Sequence, residues 1–139
     1  VQNSSGKLVV STASGLVYSG EAQRVLKKTL SQPVWIPAVQ WNNESSIYFS
    51  TRTNEVGRAS FEGSADKVKL DGAENIHVFC KAGDRIYAGD TDGRVWRMNG
   101  LGRDLVYTGR TAVTALGASA DGRTVYAGFS DGLIYRLEK

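Results

Sequence analysis

The chain has 139 residues, 41% hydrophobic and 22% charged, with seventeen Lys and Arg against fourteen Asp and Glu and a net charge of +3. That is enough chain to bury a core without staples, and the single cysteine, Cys80, excludes an internal disulfide framework. No window holds the roughly 18 apolar residues of a spanning helix, and only Lys27 and Lys28 are adjacent among the basic residues, so a membrane role is not expected and nucleic acid is disfavoured.

Sixteen glycines against two prolines point to many tight turns and β-structure. In chain order, a first hairpin is predicted around Val9 and Val17 with its turn at Ser14-Gly15, followed by an outer strand at 23–30. The stretch 21–30 also tolerates a helical reading. An inner strand at 34–41 precedes a second hairpin, Tyr48 to Val56, turning at Thr53-Asn54, with an outer strand at 67–70. The pattern recurs with an inner strand at 75–80, a hairpin from Tyr87 to Val95 turning at Asp92-Gly93, and an outer strand at 104–107. It ends with an inner strand at 112–118 and a hairpin from Tyr126 to Ile134 turning at Asp131-Gly132. Asp-Gly pairs suit such turns because Gly takes positive φ freely and Asp bonds its own backbone.

These hairpins are copies of one unit. Val9, Tyr48, Tyr87 and Tyr126 are spaced by 39 residues, and the register holds for Val10, Phe49, Ala88 and Ala127, for Gly15, Asn54, Gly93 and Gly132, and for Val17, Val56, Val95 and Ile134. Four short strands in about 40 residues is the signature of a β-propeller blade. With strands lettered A to D outward from the central channel, the chain reads BCD, ABCD, ABCD, ABC. The expected fold is all-β: a propeller segment of about three and a half four-stranded blades, incomplete at both ends. It forms one partial domain over 1–139, with blade segments at about 1–31, 32–71, 72–109 and 110–139. With Val1 first, the chain is expected to be cut from a longer one.

The runs DTDGRVWRMNG and FSDGLIYRLEK, preceded by IYAG and VYAG, resemble β-propeller repeats of the WD-repeat, quinoprotein-dehydrogenase-like and strictosidine-synthase-like groups. The resemblance covers nearly the whole chain and implies a propeller without fixing the subgroup. The Trp-Asp that ends a WD repeat is replaced by Met98-Asn99 and Leu137-Glu138. The Trp that follows a quinoprotein hairpin is replaced by Leu105-Val106-Tyr107, so no cofactor is carried over.

Candidate chemistry is sparse. His77, the only histidine, falls on a predicted inner strand with Glu74 and Asn75 beside it, and Thr114 falls on the next; together these four are candidate ligand-binding residues at the channel. Asp90 and Asp92 form Asp-x-Asp-Gly, which begins like a calcium loop but lacks the later acidic ligands; a hairpin turn is expected and no metal. Arg58, Arg97 and Arg136 recur at the repeat period and are candidate partner-binding residues, against a packing role between blades. The repeated tyrosines and the tryptophans are expected in the core.

The function expected is a non-catalytic propeller module for protein binding or scaffolding, completed by another segment or chain. A competing expectation is part of a propeller hydrolase or lyase of the strictosidine-synthase or gluconolactonase type, its channel site shared with further blades. A carbohydrate-binding propeller is the third.

Overall fold

The structure, a computed structural model, describes residues 6–11, 16–21, 27–31, 39–43, 46–51, 54–60, 65–100 and 102–137. The described residues form fourteen strands in four antiparallel meanders. The first sheet holds β1 (Lys7–Ser11), β2 (Leu16–Glu21) and β3 (Lys27–Ser31). The second holds β4 (Val39–Asn43), β5 (Ser46–Ser50), β6 (Glu55–Ser60) and β7 (Ala65–Lys69). The third holds β8 (Val78–Ala82), β9 (Arg85–Gly89), β10 (Arg94–Asn99) and β11 (Gly102–Thr108). The fourth holds β12 (Val113–Ala118), β13 (Val125–Phe129) and β14 (Ile134–Leu137). These are the strands of propeller blades. The stretch that tolerated a helix supplies β3; residues 22–26 lie outside the described part, as do the Ser14-Gly15 turn and residues 32–38.

Turn chemistry works as the sequence dictates. Asn54, Gly93 and Gly132, one per hairpin, have φ of 62°, 85° and 87°. A Cβ at Gly93 would also stand 2.5 Å from the Thr111 carbonyl oxygen.

Each sheet uses both faces, because successive side chains on a strand point to opposite sides. In the third sheet Ile86, Ala88, Trp96 and Met98 pack toward the second, joining Tyr48, Val56, Leu70 and Ile76. Cys80, Tyr87 and Val95, on the other face, join Val113, Val125, Ala127, Phe129 and Leu137 of the fourth. The core is therefore a series of layers between blades.

Asp90 is fully buried and ties its own turn to the preceding loop. Its Oδ1 accepts the N–H of Asp92 at 3.0 Å and of Arg94 at 2.8 Å, while Oδ2 accepts the Glu74 N–H at 3.1 Å and lies 3.4 Å from the Arg94 guanidinium. Those donors occupy both oxygens. The Asp-x-Asp-Gly motif is thus a turn clamp.

The strand boundary that bears on the candidate residues differs from expectation. The inner strand expected at 75–80 begins at Val78, so Asn75 and His77 lie in the loop before it. Asn75 has φ of 53°, which breaks the extended chain, and its N–H donates to Asn54 Oδ1 at 2.8 Å.

Replacing Asp90 by Ala strands three backbone donors, and denaturant unfolding is expected to show a loss on the order of 3 kcal/mol. Asp92→Ala, which removes an exposed partner of Arg94, is expected to cost under about 1 kcal/mol.

Candidate functional site

Identical repeat positions have different surroundings depending on the blade. Tyr48 and Tyr87, facing the following sheet, are 2% and 4% exposed, whereas Tyr126 at the same position in the fourth sheet is 44% exposed. Phe49, Ala88 and Ala127, facing the preceding sheet, are buried, whereas the equivalent Val10 in the first sheet is 40% exposed. The glycines agree: a Cβ at Gly89 would stand 2.7 Å from Val113 of the next sheet, while one at Gly128 would meet nothing closer than 3.7 Å.

The strand register defines the open face of the fourth sheet. Tyr126 pairs with Arg136 and Gly117, and Gly128 pairs with Ile134 and Ala115, so these six share one side. Ile134 is the most exposed large apolar residue among those described, at 73%. Of the two strands at the ends of these outer sheets, β14 pairs only with β13 and β1 only with β2 among the described residues. Against the expectation of a core position, Tyr126 and Tyr135 are exposed. At Tyr126 the face toward a following repeat has none upon it among the described residues, whereas Tyr135 pairs with Ala127 on the opposite face and borders Tyr107 of the third sheet.

The arginine series stands on the same side as these tyrosines, with Arg58 paired to Tyr48, Arg97 to Tyr87 and Arg136 to Tyr126 across the hairpins. Arg97 bonds Asp104 Oδ2 on β11 at 2.8 Å, which raises its already high pKa. The Tyr48 hydroxyl donates to the Gly100 carbonyl at 2.8 Å, linking the second sheet to the third. Burial pushes that hydroxyl's pKa up, and Arg58 beside it opposes the shift. Arg136 lies on the open face and is exposed.

Of the four channel candidates, Glu74, Asn75 and His77 lie in the loop before β8 and Thr114 lies on β12. Glu74 is held through its backbone, its carbonyl accepting the Thr91 N–H at 2.9 Å and hydroxyl at 2.7 Å. His77 Nδ1 lies 3.0 Å from the Asn75 carbonyl, and the His77 backbone N–H donates to the Gly89 carbonyl at 3.1 Å. The Thr114 hydroxyl in the fourth sheet lies 3.7 Å from the point where a Gly128 Cβ would stand. No group of three or more His, Cys, Asp or Glu suited to a metal occurs among the described residues.

Sequence reasoning missed an aromatic cluster of Tyr107, Phe129 and Tyr135, whose ring centroids are 5.5 to 5.7 Å apart. The signal was available as departures from the repeat: Phe129 stands where the preceding copy has Asp90, and Gly109 where it has Leu70.

No protein-family model and no curated protein sequence matches this chain. Solved structures do. The WD40 β-propeller domain of Doa1 is similar with a TM-score of 0.82 and 12% identity, over 100% of this chain and 49% of that one. A chain in the Mitotic Checkpoint Complex gives 0.78 and 13%, over 95% of this chain and 44% of that one. Virginiamycin B lyase from Staphylococcus aureus gives 0.71 and 9%, over 100% and 54%. The chain has a β-propeller fold and spans about half the length of these three.

Burial pushes the Cys80 thiol up to about 11 from an ordinary value near 9.0. A thiol–disulfide reagent at pH 8 is expected to label the native protein far more slowly than the unfolded chain. Because the unfolded thiol ionises first, its contribution to stability is present below 9.0 and is lost as pH rises toward 11; unchanged labelling on unfolding would contradict the burial.

Proposed function

We propose that this chain is a non-catalytic propeller module that binds or scaffolds other proteins, and that further blades from another segment or chain complete it. The observation that carries this reading is the contrast between Tyr126, 44% exposed, and its buried counterparts Tyr48 and Tyr87. A surface buried at Val9, Tyr48 and Tyr87 in the first three sheets is presented a fourth time at Tyr126 with nothing upon it among the described residues. Covering an exposed Tyr or Ile contributes roughly 1.5–3 kcal/mol for each side chain fully buried, and β14, which pairs only with β13 among the described residues, offers an edge for backbone pairing as well.

Repeat proteins are stabilised by their intrinsic units and by nearest-neighbour interfaces, so an end without a neighbour lacks half of one interface. On the last sheet that half is apolar at Tyr126 and Ile134 and positive at Arg136. The Doa1 domain and the Mitotic Checkpoint Complex chain, each about twice as long, support the reading that blades beyond those described belong with it. The partner expected for this face is a blade-like sheet with small or aliphatic residues at the positions Ala88 and Ala127 hold.

A propeller lyase is the competing reading, favoured by the likeness to virginiamycin B lyase. Glu74 and His77 would serve it, sharing a channel site with further blades. It loses its place if His77→Ala with Glu74→Gln leaves ligand binding by the completed assembly unchanged.

The module reading is tested on the isolated chain by native mass measurement and an apolar-surface dye. Dye binding and concentration-dependent association are expected, both weakened by Ile134→Asp with the melting temperature within a few degrees. Tyr87→Asp, at a filled interface, is expected to unfold the chain. A dye-silent, stable monomer at all concentrations would contradict the need for completion.

A further inference from the structure

The junction between the third and fourth sheets departs from the one before it at a small set of equivalent positions. Where the earlier junction has Val68, Leu70, Asp71, Asp90 and Trp96, the later one has Tyr107, Gly109, Arg110, Phe129 and Tyr135. One backbone bond is common to both: the Leu70 N–H donates to the Asn54 carbonyl at 3.1 Å, and the Gly109 N–H donates to the Gly93 carbonyl at 2.8 Å. The side chains differ, and the pairing of β10 with β11 carries a bulge beside Tyr107 that β6 and β7 lack.

The changes compensate one another sterically. Leu70 is fully buried at the earlier junction, whereas Gly109 adds no side chain and Phe129 fills its place; a Cβ on Gly109 would stand 2.5 Å from the Phe129 ring. Phe129 cannot accept the N–H bonds that Asp90 takes, so the carboxylate clamp has no counterpart here among the described residues. In its place lies a cleft of about 470 Å³, whose walls include Tyr107, Thr108, Arg110, Phe129, Asp131 and Tyr135. That volume falls within the range, roughly 300–1,000 Å³, of small-ligand clefts.

The lining narrows the ligand. The rings touch one another, with centroids 5.5 Å apart for Tyr107 and Tyr135 and 5.6 Å for Phe129 and Tyr135, so no cation fits between them as in an aromatic cage. They offer an outer face instead, and Tyr135 is 40% exposed. Arg110 and Asp131 bring opposite charges to one cleft, which favours neither an anion nor a cation. Asp131 Oδ1 accepts the Leu133 N–H at 3.0 Å, and its second oxygen has no hydrogen-bond partner among the described residues. Burial raises the Tyr107 pKa, with Tyr135 and Asp131 adding to it and Arg110 opposing, so that hydroxyl remains a donor at neutral pH.

We infer that this cleft binds a neutral saccharide ring, stacked on Tyr135 and hydrogen-bonded through its hydroxyls to Asp131, Arg110 and Thr108. A pyranose combines an apolar C–H face for the aromatic ring with rim hydroxyls for a carboxylate and a guanidinium, without net charge. The site lies between two sheets that are both present, so it does not depend on how the ends of the chain are completed.

The test incubates the full chain with an array of neutral and charged oligosaccharides, with a peptide array alongside, and titrates the strongest neutral glycan by tyrosine fluorescence. Binding to neutral glycans is expected, weakened at least tenfold by Tyr135→Ala. The double variant Gly109→Leu/Phe129→Asp, which imports the residues of the earlier junction and fills the cleft, should weaken it as much while circular dichroism is unchanged. If the double variant fails to fold, Tyr135→Ala decides, since that side chain is partly exposed. No glycan above background, binding confined to charged glycans or to peptides, or full affinity in Tyr135→Ala would overturn the inference.

Discussion

The fold depends on packing between successive sheets. Strand alternation gives each sheet two sets of apolar side chains, and neither set has a partner within its own sheet. Ile86 and Ala88 look back toward the second sheet while Tyr87 and Val95 look forward to the fourth. Residue size is then set by the room that neighbours leave: Gly57 makes space for the ring of its cross-strand partner Phe49, and Gly89 for Val113 of the following sheet. Where a sheet has no neighbour on one side among the described residues, the same positions are exposed, as Tyr126, Ile134 and Val10 are.

Most of the architecture was legible because it is written repeatedly. A 39-residue register over four copies announced the hairpins, and the sheets of the described residues hold three, four, four and three strands in chain order. Strand ends were less legible where a single residue's backbone decides them. Asn75 takes a positive φ to reach Asn54 and delays β8, which moves His77 off the strand. Nothing in the spacing of apolar residues announces that bond.

The candidate surfaces were legible in a different way. Repetition identifies Tyr126 and Arg136 as members of an inter-blade set, yet only the three-dimensional arrangement separates filled positions from open ones. The aromatic cleft was hidden for the opposite reason, since Tyr107, Gly109 and Phe129 are places where the repeat is broken. A repeat read for its regularities passes over them. A shared backbone bond with altered side chains, as at Leu70 and Gly109, is what reveals a junction that has diverged.

The central claim is that the open face of the fourth sheet is an unfilled copy of an interface the chain already makes. Its most direct test is the urea unfolding of the chain against that of the chain extended after Lys139 by a second copy of residues 101–139, which continues the register and supplies a matching outer strand and the next hairpin. The account predicts a higher unfolding midpoint and a larger denaturant slope in one cooperative transition, with Tyr126 newly protected from solvent. An unchanged midpoint, with the added copy unfolding separately, would contradict it.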